Sequence, residues 1–269
     1  MQFITIMDLL YYLDTNAVQS LGSKLESLPS GSAFTSIWTQ IELVSAINND
    51  DKYRRKKAAL KHLSDSGIYV DQAIPAIKRL QAYTIVEPEP YEYTVFRERI
   101  IPIVLKTMEY NVFLEQIKSS FAENALKKLQ EVDETSRDFG EFIAKYKDDV
   151  ILDFENKWEV DKVKLIREAV DYHAEKIGRK YFLSKNCLIN EYDHSIDYFM
   201  LIHYYYVEQK KHRHEEPARN DFNDICHLLY LKDGCKLVTD DGKFQEYVNK
   251  MVDGLAIGTE QFLNEINQV

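Results

Sequence analysis

A chain of 269 residues, 45% apolar and 29% charged, holds enough material for one large domain or two modest ones and reads as an ordinary soluble globular protein. The formal net charge of -10 excludes nucleic-acid binding by bulk electrostatics, so any phosphate contact must come from local basic patches or bound metal. Cys187, Cys226 and Cys235 form no Cys-x-x-Cys pair and no zinc spacing, no basic segment precedes the N-terminal apolar residues, and the run 198–207 is shorter than the roughly 20 apolar residues a membrane span needs. The expectation is a cytoplasmic protein with free thiols and no membrane attachment.

Leu9-Leu10-Tyr11-Tyr12-Leu13 is a continuous apolar run, the signature of a strand buried on both faces of a parallel sheet, and it stops at Asp14. Parallel sheets place ligand sites at the carboxyl ends of their strands, so Asp14 is expected on that rim, with Thr15 or Asn16 capping the next helix. That helix is predicted over 17–28 and ends at Pro29-Ser30-Gly31. A strand over 33–37 follows, then a helix over 39–47 with Glu42 near its start. Next comes a basic-faced helix over 51–63, with Arg54, Arg55, Lys56 and Lys57 opposite Ala59, Leu60 and Leu63. A short strand over 67–70 and a helix over 72–83, with Pro75 near its first turn, complete the N-terminal part. This order argues for an α/β fold with helices on both faces of a parallel sheet.

From about residue 84 the character changes. Phe113, Ile117, Phe121, Ala125, Leu129 and Val132 recur every three or four positions, as do Phe139, Ile143, Tyr146, Val150, Phe154 and Trp158. Residues 196–207 are apolar nearly all round, and a polar break runs from Lys210 to Pro217. Strand–helix order then returns. A helix over 221–231 is closed by Gly234, a strand over 235–239 stops at Asp240-Asp241, and a helix over 243–251, a strand over 255–257 and a helix over 260–266 finish the chain. The expected organisation is one discontinuous α/β core, 1–85 and 218–269, interrupted by an all-helical insertion over 86–217.

Two predicted strands thus end in acids, Asp14 and Asp240-Asp241, and two predicted helices carry an acid in the first turn, Glu42 and either Asp221 or Asp224. Strand ends and helix starts share one edge of such a sheet, so these carboxylates can converge. Taken singly, each also reads as a cap, a turn or a surface acid; the recurrence is the signal. Carboxylates in one cleft repel one another unless a cation compensates, and hard oxygen ligands suit Mg²⁺ or Mn²⁺ rather than zinc. Paired hard cations activate water and stabilise both oxygens of an in-line phosphoryl displacement. On this view Asp241→Ala relieves repulsion and melts higher than wild type when metal is absent.

Leu13-Asp14-Thr15-Asn16, Thr39-x-x-Glu42-Leu43, Asn220-Asp221 and Leu237-Val238-Thr239-Asp240-Asp241-x-x-Phe244 together resemble the motifs of the PIN-domain nucleases, a family that includes toxin ribonucleases of toxin–antitoxin pairs. The resemblance covers about 9–83 and 219–265. It implies a three-layer α/β/α fold, Mg²⁺ or Mn²⁺ held by Asp14, Glu42, Asp221 and Asp241, and phosphodiester hydrolysis. Thr15, Asn16, Thr239 and Asp240 would support the site, with Asp224 as the rival to Asp221. Single-stranded RNA is the implied substrate, and an antitoxin, another protein or a second copy of the chain the implied partners. The long helical insertion and the length of the helix after Asp224 depart from the compact members.

Lys210, Lys211 and Arg213 stand on the arm that returns from the insertion and are expected to contact the nucleic-acid backbone; Arg54 to Lys57 and Arg179-Lys180 are further basic patches. His212 and His214 read as a solvated basic face rather than a metal clip, Tyr204-Tyr205-Tyr206 as core rather than a stacking platform, and His227 as a packed residue. An aspartate-nucleophile phosphatase would want an acid two residues after Asp14, where Asn16 stands. The alternative in a different class is a PIN-like scaffold that binds nucleic acid or protein without cutting.

Overall fold

The computed structural model describes residues 11–82, 89–130, 195–213 and 221–268. Leu9, Leu10, the apolar series 139–158, Arg179-Lys180, Cys187, His214 and Asn220 lie outside them, as does the side chain of Lys211. Five short strands form one sheet: β1 (Tyr11–Leu13), β2 (Ala33–Ser36), β3 (Tyr69–Asp71), β4 (Lys236–Val238) and β5 (Ala256–Ile257). All pair in parallel, in the order β3-β2-β1-β4-β5. Tyr12, Leu13, Leu237 and Val238 have no exposed surface, as unbroken apolar runs require of central strands in a parallel sheet.

The early helices follow these strands closely. α1 (Thr15–Leu21) begins one residue after β1 and runs into a 3-10 turn (Gly22–Ser27), while α2 (Ile37–Ser45) begins where β2 stops. α3 (Asp50–Ser66) opens on Asn49, whose side chain accepts from the Lys52 N–H at 2.9 Å, and closes on Gly67 at φ 69°. α4 (Pro75–Ala82) starts at Pro75 itself, three residues later than the helix expected from 72, because proline is preset for the first turn and lacks the N–H an interior position would need.

α5 (Tyr91–Val95), a π-helical turn (Phe96–Ile100) and α6 (Ile101–Lys106) form one continuous run. Pro102 explains the wide turn, since its ring would clash with the carbonyl one turn back. The apolar series 113–132 is broken into α7 (Tyr110–Ser119) and α8 (Glu123–Gln130). Phe113, Ile117, Ala125 and Leu129 are buried as their spacing predicts, but Phe121 takes φ 58° and is 89% exposed.

The chain divides into two compact units, and the division departs from the expected domain boundaries. One unit comprises Met1–Ala73, Glu89–Val132 and Gly234–Val269; the other comprises Ile74–Pro88 and Asp133–Asp233. Residues 89–130, expected in the insertion, belong with the sheet for a physical reason. The Tyr53 hydroxyl on α3 is 3.0 Å from the Thr107 carbonyl, and its ring stacks on Phe113 at 5.2 Å.

In the second unit, α9 (Asp197–Arg213), α10 (Asp221–Cys226) and a 3-10 turn (His227–Tyr230) follow α4. α9 continues through Lys210 and Arg213, where a break was expected; cations are favoured at the carboxyl end of a helix. Arg79 lies 5.7 Å over the Phe199 ring, Lys78 5.7 Å over Tyr230, and His227 is buried. His203 stacks on Phe199, and desolvation, with Arg79 adding to it, pushes its pKa down to about 3. Back in the sheet unit, α11 (Gly242–Met251) and α12 (Thr259–Ile266) follow β4 and β5. Among the described residues no helix is long and apolar enough to cross a membrane.

Candidate active site

The strand order reverses between β1 and β4: from β1 the chain moves outward through β2 to β3, and from β4 it moves to β5 on the other side. Open α/β sheets bind ligands in the crevice outside the carboxyl ends of the strands at such a reversal. Asp14 stands there after β1, and Thr239, Asp240 and Asp241 stand there after β4. A backbone bond from Asp14 N–H to the Val238 carbonyl, 3.2 Å, ties the two strand ends together.

Asp14 is 3% exposed and is itself the N-cap of α1; its Oδ1 accepts from the Ala17 N–H at 2.7 Å. Neither Thr15 nor Asn16 takes that role, because strand and helix are separated by one residue and the cap position falls on the acid. Thr15 instead donates its hydroxyl to the Glu42 carboxylate, while Asn16 is half-buried in the first turn. Glu42 is the sixth residue of α2, not a first-turn acid, since that helix starts at Ile37 with Ser36 before it. The Tyr12 hydroxyl, 2.8 Å from Ser36 Oγ, has its pKa pushed up by burial, with Glu42 and Asp14 both adding to the rise. Both carboxylates therefore act on one buried hydroxyl and share its neighbourhood.

Lys56 of α3 belongs to the same neighbourhood. Its Nζ donates to Gln19 Oε1 at 2.7 Å; burial lowers its pKa and Glu42 opposes that fall. The sequence grouped it with three other cations, but Arg54 and Arg55 bridge Asp50 and Asp51 at the surface and Lys57 donates to the Thr107 carbonyl. Helical phase separates Lys56 from Arg54 and Arg55: it lies three residues after buried Tyr53 and four before buried Leu60, and Lys57 borders the same side of the helix.

Asp240 accepts from the Thr259 N–H at 2.9 Å and from the Thr259 hydroxyl at 2.8 Å. Burial pushes its pKa up, but the Ser20 hydroxyl and these Thr259 donors outweigh that and hold it below the ordinary value. Asp241 is the N-cap of α11, accepting from the N–H groups of Lys243 and Phe244 at 3.0 Å each, and its own N–H donates to buried Thr239 Oγ1 at 3.1 Å. Caps of this kind are stabilising, so the sign expected for Asp241→Ala in the absence of metal reverses.

Asp221 and Asp224 lie in the first turn of α10, in the second unit. The Tyr206 hydroxyl donates to Asp221, Lys210 Nζ is 3.8 Å from it, and Lys210 also lies 5.5 Å over the Tyr206 ring. Of the tyrosine triplet expected in the core, Tyr206 is buried while Tyr204 and Tyr205 are half-buried, and Arg213 is exposed. Among the described residues no group of three or more His, Cys, Asp or Glu side chains is arranged to hold a metal ion. Asp14 and Glu42 offer carboxylate oxygens, the ligand type Mg²⁺ takes, and Mg²⁺ keeps several waters and needs as few as one or two carboxylates. Comparison with protein-family models, curated proteins and solved structures gives no match.

Proposed function

We propose that the chain is a Mg²⁺- or Mn²⁺-dependent PIN-like nuclease of three-layer α/β/α architecture that cuts single-stranded RNA at the carboxyl edge of the sheet. The reversal of strand order at β1 and β4, with Asp14 at that edge and Glu42 in its neighbourhood, carries the reading. Asp14 and Glu42 would hold the cation, which when bound supplies activation of water and charge stabilisation at the phosphate, and Asp241 enters from the resemblance. Thr15 orients the Glu42 carboxylate and Thr239 the backbone before Asp241. Lys56 offers a cation to the phosphate that an acidic edge would otherwise repel. Asp221 enters from the resemblance and is tested by its own substitution, Asp221→Asn.

The deciding experiment is cleavage of single-stranded RNA with Mg²⁺, with EDTA, and by Asp14→Asn. Asparagine caps a helix as well as aspartate does, so this change removes charge without the cap. EDTA should abolish cleavage and Asp14→Asn should reduce it on the order of 10²–10³-fold, as losing a preorganised electrostatic group does. Undiminished cleavage by the variant would falsify the reading. Mn²⁺ at a hundredfold excess over its dissociation constant should stabilise wild type by about 2.7 kcal/mol and leave Asp14→Asn/Asp241→Ala unmoved.

The non-catalytic scaffold is favoured by one observation: Asp14 and Asp241 both serve as helix caps. RNA binding with neither cleavage nor a Mn²⁺ response would select it.

A further inference from the structure

α7 closes in a Schellman motif. The Ala122 N–H reaches the Ile117 carbonyl and the Phe121 N–H the Lys118 carbonyl, both at 3.1 Å. The residue at the left-handed position of this motif is ordinarily glycine, as Gly67 is after α3. Here it is Phe121, at φ 58° and 89% exposed. The ring adds little to the core, since Ile117 and Ala122 supply the apolar contact that accompanies the motif. A bulky side chain in a strained backbone position, held out in water, points to contact with something else.

Phe121 and Tyr91, the latter 68% exposed, flank a groove of about 480 Å³ with apolar Val95 and Ala125 in its lining and Lys127 and Lys128 beside them. The whole chain is acidic, yet the groove's lining carries two cations, Lys127 and Lys128, against one acid, Glu92. Lys128 meets Glu92, and Arg99 donates to the Ser120 carbonyl at 2.7 Å. Exposed aromatic faces beside cations are how single-stranded nucleic acid is held without sequence preference, each base offering a π-face and each phosphate a charge. An acidic chain can hold a polyanion only at such a local excess of positive charge.

We propose that this groove is a single-stranded nucleic-acid subsite, with bases stacked on Phe121 and Tyr91 and phosphates met by Lys127 and Lys128. The proposal deepens the nuclease reading but is read by binding alone. The test is fluorescence anisotropy of a labelled oligouridylate with the full chain in EDTA, where cleavage is silent. Phe121→Gly should weaken binding on the order of tenfold. The same change should raise the melting temperature, because glycine accepts the left-handed backbone. Lys127→Gln and Lys128→Gln should each flatten the log–log salt dependence by about 0.7.

A stabilised Phe121→Gly protein with wild-type affinity overturns the proposal. So does equal affinity of wild type for an acidic peptide such as polyglutamate, which would make the groove a protein-docking site. A wild-type dimer that Phe121→Gly dissolves overturns it in favour of a second copy of the chain.

Discussion

The same two strands carry opposite chemistry at their two ends. At the amino ends of β1 and β4, where Tyr11 faces Lys236, the Glu265 carboxylate takes the Tyr11 hydroxyl at 2.7 Å and the Lys236 ammonium at 2.8 Å. Lys236 first and Tyr11 second pull the Glu265 pKa down to about 2. Desolvation, then Glu265, pushes Tyr11 up to about 12. At the carboxyl ends Asp14, Asp240 and Asp241 each accept from backbone amides, and Asp240 from the Thr259 hydroxyl as well. The Glu265 carboxylate is bridged to an ammonium and neutralised as part of the fold, whereas the carboxylates at the other edge cap helices and a turn. One edge is a staple and the other is where the proposed site lies.

The largest expected effect separates the edges by activity. Asp14→Asn should cost 10²–10³-fold in kcat/KM, on the order seen for removal of a preorganised electrostatic group, while Glu265→Gln should leave it unchanged. Equal losses would erase the distinction. A smaller effect concerns stability. Asp241→Ala should unfold in urea at lower concentration, by about 1 kcal/mol in metal-free protein, because the cap on α11 is lost. A more stable variant would mean that repulsion among the acids outweighs the cap.

The smallest effect is a change in pH dependence. The Glu265 carboxyl is depressed from its ordinary 4.5 to about 2, so its contribution is present above 4.5 and lost as the pH falls towards 2. Side chains that are 27% and 39% exposed limit that contribution to less than about 1 kcal/mol. Glu265→Gln should remove this part of the acid limb. If wild type and variant lose stability in parallel between pH 4.5 and 2, the staple contributes nothing.

The sheet was legible in the sequence because its central strands are buried on both faces and so appear as unbroken apolar runs, with Asp14 and Asp240-Asp241 standing just past where two of them stop. What was not legible is long-range or rests on one unusual residue. The Tyr53–Thr107 contact joins residues 54 apart and leaves no periodic trace, so residues 89–130 read as part of an insertion. Phe121 carries no stop signal, and the helical period passes through it unbroken. The depth of Glu42 within α2 and the cap at Asp14 were missed for one reason: helices begin at strand ends without a turn, leaving no loop residues to mark the boundary.

The pairing of Tyr11 with Lys236 also has a consequence for biosynthesis. β2 can join β1 soon after both leave the ribosome, but β4 follows about 225 residues after β1. At roughly 5–20 residues per second, that interval is about 11 to 45 seconds. Until it has passed, Asp14 and Glu42 are present on the nascent chain while the crevice between β1 and β4 is not. A hydrolase built on that crevice would stay inert beside the message being translated, and become competent only when its last strands emerge.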